Sequence, residues 1–530
     1  MPTLNWIGKD KIINHHQDVP YKVLNHEYGF SEKGKTSTSI DSGNLIINGD
    51  NLEALKSLLP KYEGKVNCIY IDPPYNTGNE SWVYNDNVNS PQMKKWLGKV
   101  VGKESEDLTR HDKWLCMMYP RLKLLHKLLA KDGVIFISIN FKHEHSHLKL
   151  ICNEIFGETN YIGELTWEST TQPINSGSAK FGLQQKVEPI MFFAKNKSKI
   201  ERFILKEIDT GLKYPHNGKL GDCRFQIIEK SDAGGYKRET MKFSILGQLP
   251  REGKRWQIGI DTAKWLEENN RLEIIEGVVK MAIYPDDELD KRRFVPFWSH
   301  LTANQYGTAQ SGKDLLNTIM DEPIGFDTVK PPQLIEELIS HFDKNSIILD
   351  SFAGSGTTAH AVLNLNKQDQ GNRKFILIEM ENYAETITAE RVKRVINGYA
   401  DKEGTVGSFD YYTLGEPLFD ENNNLNETVG IEKIREYVWF TETRNPYQST
   451  VFARNEAIST PFLGIYNETS YYFIYEKDNL TTLDYDSLAE YVQQKAERYI
   501  IYADNCLLPE SFMREKNIEF KKIPRDITRF

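Results

Sequence analysis

Four consecutive residues, Asp72-Pro73-Pro74-Tyr75, combine a carboxylate, a stiffened backbone and an aromatic face. They close an apolar run (Val66, Cys68, Ile69, Ile71) that reads as a buried strand, and Asn76-Thr77-Gly78 follows as a turn. A loop just past the carboxyl end of a strand is where open α/β sheets bind ligands. These residue types suit methylation of the exocyclic amine of a nucleobase. Such an amine is a poor nucleophile because its lone pair is delocalised into the ring. A carboxylate and a fixed carbonyl can each accept one of its hydrogens, drawing the nitrogen toward tetrahedral geometry and stabilising the transition state preferentially. Asp72 supplies the carboxylate and Pro73 the carbonyl, held by the fixed φ of proline. Tyr75 offers a face for stacking. The plainer reading is a proline turn at a strand end, with Asp72 capping something local.

A second signal lies nearly three hundred residues later, in IILDSFAGSGTTAHAV (347–362). It reads as a strand, a glycine turn at Gly354 and Gly356, and a helix opened by Thr357 and Thr358. The next strand, KFILIEM (374–380), carries Glu379 at a distance of 23 residues from Gly356, near the ~20 expected of an acid that binds ribose hydroxyls. A phosphate-binding P-loop requires a Gly-Lys-Ser/Thr that is absent here. A dinucleotide fingerprint requires a third glycine where Ala359 stands. The pattern suits a nucleoside cofactor without pyrophosphate, such as S-adenosylmethionine.

With both motifs in this order, the chain resembles the β class of DNA amino-methyltransferases, most of all the modification subunits of type III restriction systems. The resemblance covers roughly residues 40–415. It rests on GDNLEAL (49–55), DPPYNTG (72–78), WLCMMYPRLKLLHKLLAKDGVIFISIN (114–140), FDTVKPPQLIEELI (326–339) and DSFAGSGTT (350–358). It implies a Rossmann-like, doubly wound and circularly permuted α/β fold with an inserted target-recognition domain. It also implies a catalytic set of Asp72, Pro73, Pro74 and Tyr75 acting on adenine N6, with cytosine N4 as the alternative. Phe352, Gly354 and Gly356 then wrap the methionine and ribose end of S-adenosylmethionine, Glu379 holds the ribose, and Asp350 and Thr358 belong to the same cofactor set. Asp50 has two readings, acceptor from the cofactor's adenine amine or strand-end turn. Lys330 and Pro331 likewise either face the methionine carboxylate at a helix start or begin a solvated helix. Pro189, inside KVEPIMFFAKN (186–196), departs from the family pattern and suggests an edge strand or a bulge.

The net charge of −9 is wrong for a DNA binder until it is read locally. Between Leu212 and Trp256, ten Lys/Arg face five Asp/Glu and are interleaved with aromatics, which suits phosphate contact and base reading. Lys237, Arg238, Lys254, Arg255 and Trp256 are the DNA-contact candidates; Lys291-Arg292-Arg293 is a second basic cluster. A solvated surface is the bland alternative for each lysine. HEHSH (143–147) places alternate histidines on one face, yet no partner motif supports a metal, and none is expected. The scattered, unpaired Cys68, Cys116, Cys152, Cys223 and Cys506 read as reduced thiols. No apolar stretch approaches the ~18 residues of a membrane span, and no signal peptide is expected. The expected setting is therefore the prokaryotic cytoplasm or nucleoid. The implied partners are double-stranded DNA, a second copy of the chain and a helicase–nuclease restriction subunit. A non-catalytic specificity subunit, and an RNA or protein-amide methyltransferase, are the rival readings.

The expected organisation is an N-terminal polar arm (1–40), a catalytic half (41–199), a recognition domain (200–325), a cofactor half (326–415) and a C-terminal α+β domain (416–530). In the last, SYYFIYEK (470–477) reads as a strand and YDSLAEYVQQKAERYI (485–500) as a helix.

Overall fold

The motif strands VNCIYI and IILD carry apolar residues on successive positions, so they must be covered on both faces, as in a parallel sheet sandwiched by helices. The computed structural model has this arrangement. It describes residues 3–77, 109–173, 182–201, 203–208, 212–233, 238–288, 293–326, 328–447 and 461–524, with positions 95 and 98. The chain divides into two compact units, Met1–Ile204 with Trp298–Phe530, and Leu205–Phe297.

The larger unit is built on an eleven-stranded sheet. Six neighbouring strands run parallel, in the order Leu129–Ser138, Val66–Ile71, Ile347–Asp350, Lys374–Glu379, Leu45–Asn48 and Ser408–Pro417. On one side Val187–Ala194 and Tyr161–Glu168 extend it antiparallel. On the other side Lys22–Ser31 pairs antiparallel with Ser408–Pro417. Thus residues 1–40, expected as a surface arm, contribute a sheet strand, with Val23, Tyr28 and Phe30 buried. Alternate residues of the sheet (Ile69, Ile71, Ile135, Ile137, Leu349, Ile376, Ile378) pack under Asn51–Tyr62, Arg110–Leu128 and His145–Phe156. Phe136, on the opposite face, meets Phe192 and Phe342.

Pro189 does not mark an edge. Its strand runs unbroken between two neighbours. At this position Thr166 turns its N–H outward to the Ser299 carbonyl, while the Pro189 carbonyl accepts from Ile139 N. The missing proline donor therefore faces the end of Leu129–Ser138, beyond which no ladder bond is required.

Residues 461–524 form a four-stranded sheet in which Thr469–Phe473, Arg498–Ala503 and Ile518–Lys522 are parallel. The helix expected over 485–500 ends at Tyr491. Residues 492–497 are irregular, and Arg498, Tyr499 and Ile500 open the central strand Arg498–Ala503 of this sheet, where Ile500 and Ile501 are buried. The smaller unit, narrower than the expected 200–325, carries an antiparallel sheet of Leu272–Ile275, Val278–Ile283, Gly221–Ile227 and His216–Gly218. No helix among the described residues is long and apolar enough to cross a membrane.

Candidate active site

Val66–Ile71 and Ile347–Asp350 are neighbours in register, Ile348 beside Cys68 and Leu349 beside Ile69. The pairing brings the two distant motifs together at the carboxyl edge of the sheet. A cleft there is lined by Tyr70, Asp72, Lys330, Asp350, Phe352 and Thr358, among others.

On the tetrapeptide side, Trp114 Nε1–H donates to the Pro74 carbonyl at 2.6 Å and pins the loop. Tyr75 O–H donates to Asp72 Oδ1 at 2.7 Å and lies 3.2 Å from Glu188 Oε2. The Lys330 ammonium donates to Asp72 Oδ2 at 2.7 Å and to the Tyr75 oxygen at 3.0 Å, and lies 3.4 Å from Glu188 Oε2. One cation thus joins two carboxylates and a phenol. Burial alone would depress the Lys330 ammonium, but Asp72 and Glu188 outweigh it and hold its pKa above the ordinary lysine value. Burial, reinforced by the same two acids, pushes the Tyr75 hydroxyl well above the usual tyrosine range. The Tyr75 hydroxyl is thus held neutral, donating to Asp72.

On the glycine-turn side, Asp350 accepts from Phe352 N at 3.0 Å and from the Thr358 hydroxyl at 2.5 Å. Burial drives its pKa up to about 7 against those two donors. Glu379 accepts from Gly354 N at 2.7 Å and from Glu381 N at 3.0 Å, and burial likewise raises it to about 7. Gly356 has φ 80°, and a Cβ there would meet the Thr388 carbonyl at 3.0 Å. That is why the turn into helix Thr357–Asp369 demands glycine. Asp50 caps helix Asn51–Tyr62, accepting from Leu52 N and Glu53 N through Oδ1, with Arg121 3.5 Å from Oδ2. The strand-end reading of Asp50 accounts for Oδ1. Pro331 is the N-cap of helix Pro332–Ser340, and Lys330 is turned onto the tetrapeptide, a partner that neither reading of it from sequence supplied.

A family model described as DNA methylase, of the N6/N4 methyltransferase type, matches residues 66–390. The chain belongs to the N6/N4 DNA methylase family. The chain is 31% identical over 427 residues to the type III restriction-modification enzyme StyLTI Mod subunit of Salmonella typhimurium, covering 74% of the chain and 62% of the relative. It is 30% identical over 436 residues to the EcoP15I Mod subunit of Escherichia coli, covering 72% of the chain and 64% of that relative. The chain therefore spans just under two thirds of these two relatives. Among solved structures, the M1.HpyAVI–SAM complex aligns over 66% of the chain and 98% of its own, at 16% identity and a TM-score of 0.30.

Sequence reasoning missed Glu188, which reaches Tyr75 and Lys330. Its signal was a lone acid at the head of an otherwise apolar strand, Val187–Ala194. The recognition candidates divide. Trp256 is a correction: it is fully buried, and its Nε1–H donates to the Phe243 carbonyl at 2.7 Å within a core of Ile245, Leu272 and Val279. Arg255 lies 3.5 Å from Asp232, and Lys254 is half-buried on the same strand. Arg238 is exposed; Lys237, Lys291 and Arg292 lie outside the described residues. Several other basic residues of the stretch are spent on local acids, Arg224 on Glu288, Lys242 on Asp232 and Arg251 on Glu229.

Proposed function

We propose that the chain is a site-specific DNA methyltransferase that moves a methyl group from S-adenosylmethionine to N6 of adenine in double-stranded DNA. It acts in the prokaryotic cytoplasm as the modification subunit of a type III-like system or as a solitary relative. One observation carries the reading: the Asp72–Tyr75–Lys330 network sits beside the neighbouring strand that ends at Asp350, with Glu379 one strand further on. The partners in this reading are double-stranded DNA, a second copy of the chain and a restriction subunit, the last in keeping with the relatives named as Mod subunits of restriction-modification enzymes.

The cleft fits the cofactor by donor chemistry. Glu379 accepts from Gly354 N and Glu381 N, and a carboxylate, with about four lone-pair sites, is the group type to accept from ribose hydroxyls. Asp350, the Phe352 ring and the Gly354–Gly356 backbone complete the cradle. S-adenosylmethionine, when bound, supplies a methyl group on a sulfonium. The chain's residues do the rest. The target base leaves the helix at a cost of a few kcal/mol and is met by the Tyr75 face. Asp72 and the Pro73 carbonyl accept the two amine hydrogens, while Lys330 and Glu188 hold Asp72 and Tyr75 in place. The amine is too weak an acid for Asp72 to deprotonate it first, so its proton leaves for solvent after transfer. Positioning supplies much of the rate. Asp rather than Ser in the tetrapeptide favours adenine by analogy with the family.

Long-read methylation sequencing of a methylation-free host tests the reading. N6-methyladenine within one short motif is the expected result; N4-methylcytosine there would replace adenine by cytosine. A blank genome would favour a specificity subunit.

Lys330→Met separates two roles. If Lys330 acts through Asp72, kcat falls about 10²-fold and the dissociation constant for S-adenosylmethionine barely moves. A rise in that constant with kcat preserved would return Lys330 to the methionine carboxylate.

The two raised carboxyls set a pH dependence. Their native pKa values near 7 lie above the ordinary 3.8 and 4.5, so folding takes up protons between about pH 4 and 7. The free protein therefore loses stability as pH rises through that window. Ribose hydroxyls favour the ionised form of Glu379, so cofactor affinity strengthens from pH 6 to 8. In Glu379→Gln that gain shrinks, as isothermal titration at several pH values will read.

A further inference from the structure

The HEHSH segment acquires from the fold a partner that its sequence neighbourhood lacks. His111, in the first turn of helix Arg110–Leu128, directs Nδ1 onto Glu144 Oε1 at 2.6 Å. His147 directs its own Nδ1 onto the other oxygen, Glu144 Oε2, at 2.7 Å. Glu144 is fully buried, and although it occupies the N-cap of helix His145–Phe156 it caps nothing. An N-terminal carboxylate ordinarily satisfies the first amides of its helix. This one is turned away from them, toward two imidazoles.

We propose that His111, Glu144 and His147 bind one divalent transition cation of the zinc class. The donor set is two imidazole nitrogens and one carboxylate oxygen, which suits zinc, cobalt(II) or nickel(II) rather than calcium or magnesium. The ligand atoms of the three residues all lie within 4.8 Å of one another. A tetrahedral ion about 2.1 Å from each donor sets donors about 3.4 Å apart, between the 2.6 Å of the shortest pair and that span. Small side-chain rotations therefore suffice. The imidazoles bind through Nδ1 with their hydrogen carried on Nε2, and side-chain exposures of 38% and 33% give the ion a way in. Three protein ligands leave a fourth position for water.

The position gives the site a purpose. Asn76, at φ 55° directly after the tetrapeptide, donates to Glu144 Oε1 and, at 3.2 Å, to the Arg110 carbonyl. Asn76 and His111 thus flank the segment that leaves the catalytic loop, and both rest on Glu144. A bound cation fastens the far end of DPPY to two helices. It is a structural clasp, placed beside the catalytic residues and apart from the cofactor cleft.

The test uses the full-length chain, stripped with a chelator and titrated with cobalt(II). The expected result is one equivalent bound with the intense visible bands of a tetrahedral ion, displaced by zinc. His147→Gln weakens binding at least about tenfold, His111→Ala/His147→Ala abolishes it, and the neighbouring His143→Ala leaves it unchanged. Far-UV circular dichroism identifies any variant that misfolds, in which case the single His147→Gln decides. Absence of uptake, or uptake equal in wild type and His147→Gln, would overturn the site and leave a hydrogen-bonded His–Glu–His cluster. None of these readouts depends on methylation.

Discussion

Asp72→Ala is expected to remove methyl transfer by at least about 10³-fold in kcat while cofactor binding survives. The variant deletes the acceptor for one amine hydrogen. It also deletes the anchor of Tyr75 and Lys330, whose closest contacts are both with Asp72. The cofactor cradle stands on other contacts, Asp350 with Thr358 and Phe352 N, Glu379 with Gly354 N and Glu381 N. The negative charge of Asp72 even opposes ionisation of Asp350, so its removal leaves the affinity for S-adenosylmethionine equal or slightly higher. Asp72→Asn is the companion variant. It keeps the volume and one acceptor oxygen but loses the charge that holds Lys330, and an intermediate rate is expected. Single-turnover methylation of an oligonucleotide, with titration of the cofactor, separates the two effects. Near-wild-type turnover in Asp72→Ala would remove Asp72 from the chemistry.

Trp256→Ala is expected to destabilise the smaller unit by about 3–5 kcal/mol, the range for deleting a buried aromatic side chain. Loss of the indole also leaves the Phe243 carbonyl without its 2.7 Å donor, which adds to the cost when that group remains buried. The expected readout is early proteolytic cutting within residues 205–297. Arg238→Ala makes the contrast. That side chain is exposed, so stability holds while DNA affinity falls and its salt dependence becomes shallower by about one unit. A Trp256→Ala protein as stable as wild type but unable to bind DNA would restore the base-contact reading.

These two variants mark where the sequence was legible. Asp72 and Asp350 each end an apolar strand, a local pattern, and pairing those strands follows from the rules of doubly wound sheets. Trp256 was misread because basic and aromatic residues together are a compositional signal, which says nothing of which side chain faces inward. The helix expected over 485–500 forms only over Tyr485–Tyr491, for a related reason. The partners of Arg498–Ala503 in the sheet are Thr469–Phe473 and Ile518–Lys522, and no local periodicity reports such a parallel pairing. Glu188 and Lys330 converge on Tyr75 from different elements, so only the fold could bring them together. His111 and Glu144 are likewise joined across two helices.

The adjacency of Val66–Ile71 and Ile347–Asp350 has a consequence for synthesis. Roughly 280 residues of chain separate these neighbours. At ~5–20 residues per second, the ribosome needs on the order of 15–60 s to deliver the second after the first. During that interval Val66–Ile71 is the open rim of a half-built sheet, apolar on both faces and carrying unpaired backbone groups. Such a rim recruits other strands, so nascent chains crowded on one messenger are exposed to mispairing until residues 347–350 arrive. Slower initiation and lower temperature during expression should therefore raise the soluble yield more for this chain than for a methylase whose two motif strands are close in sequence.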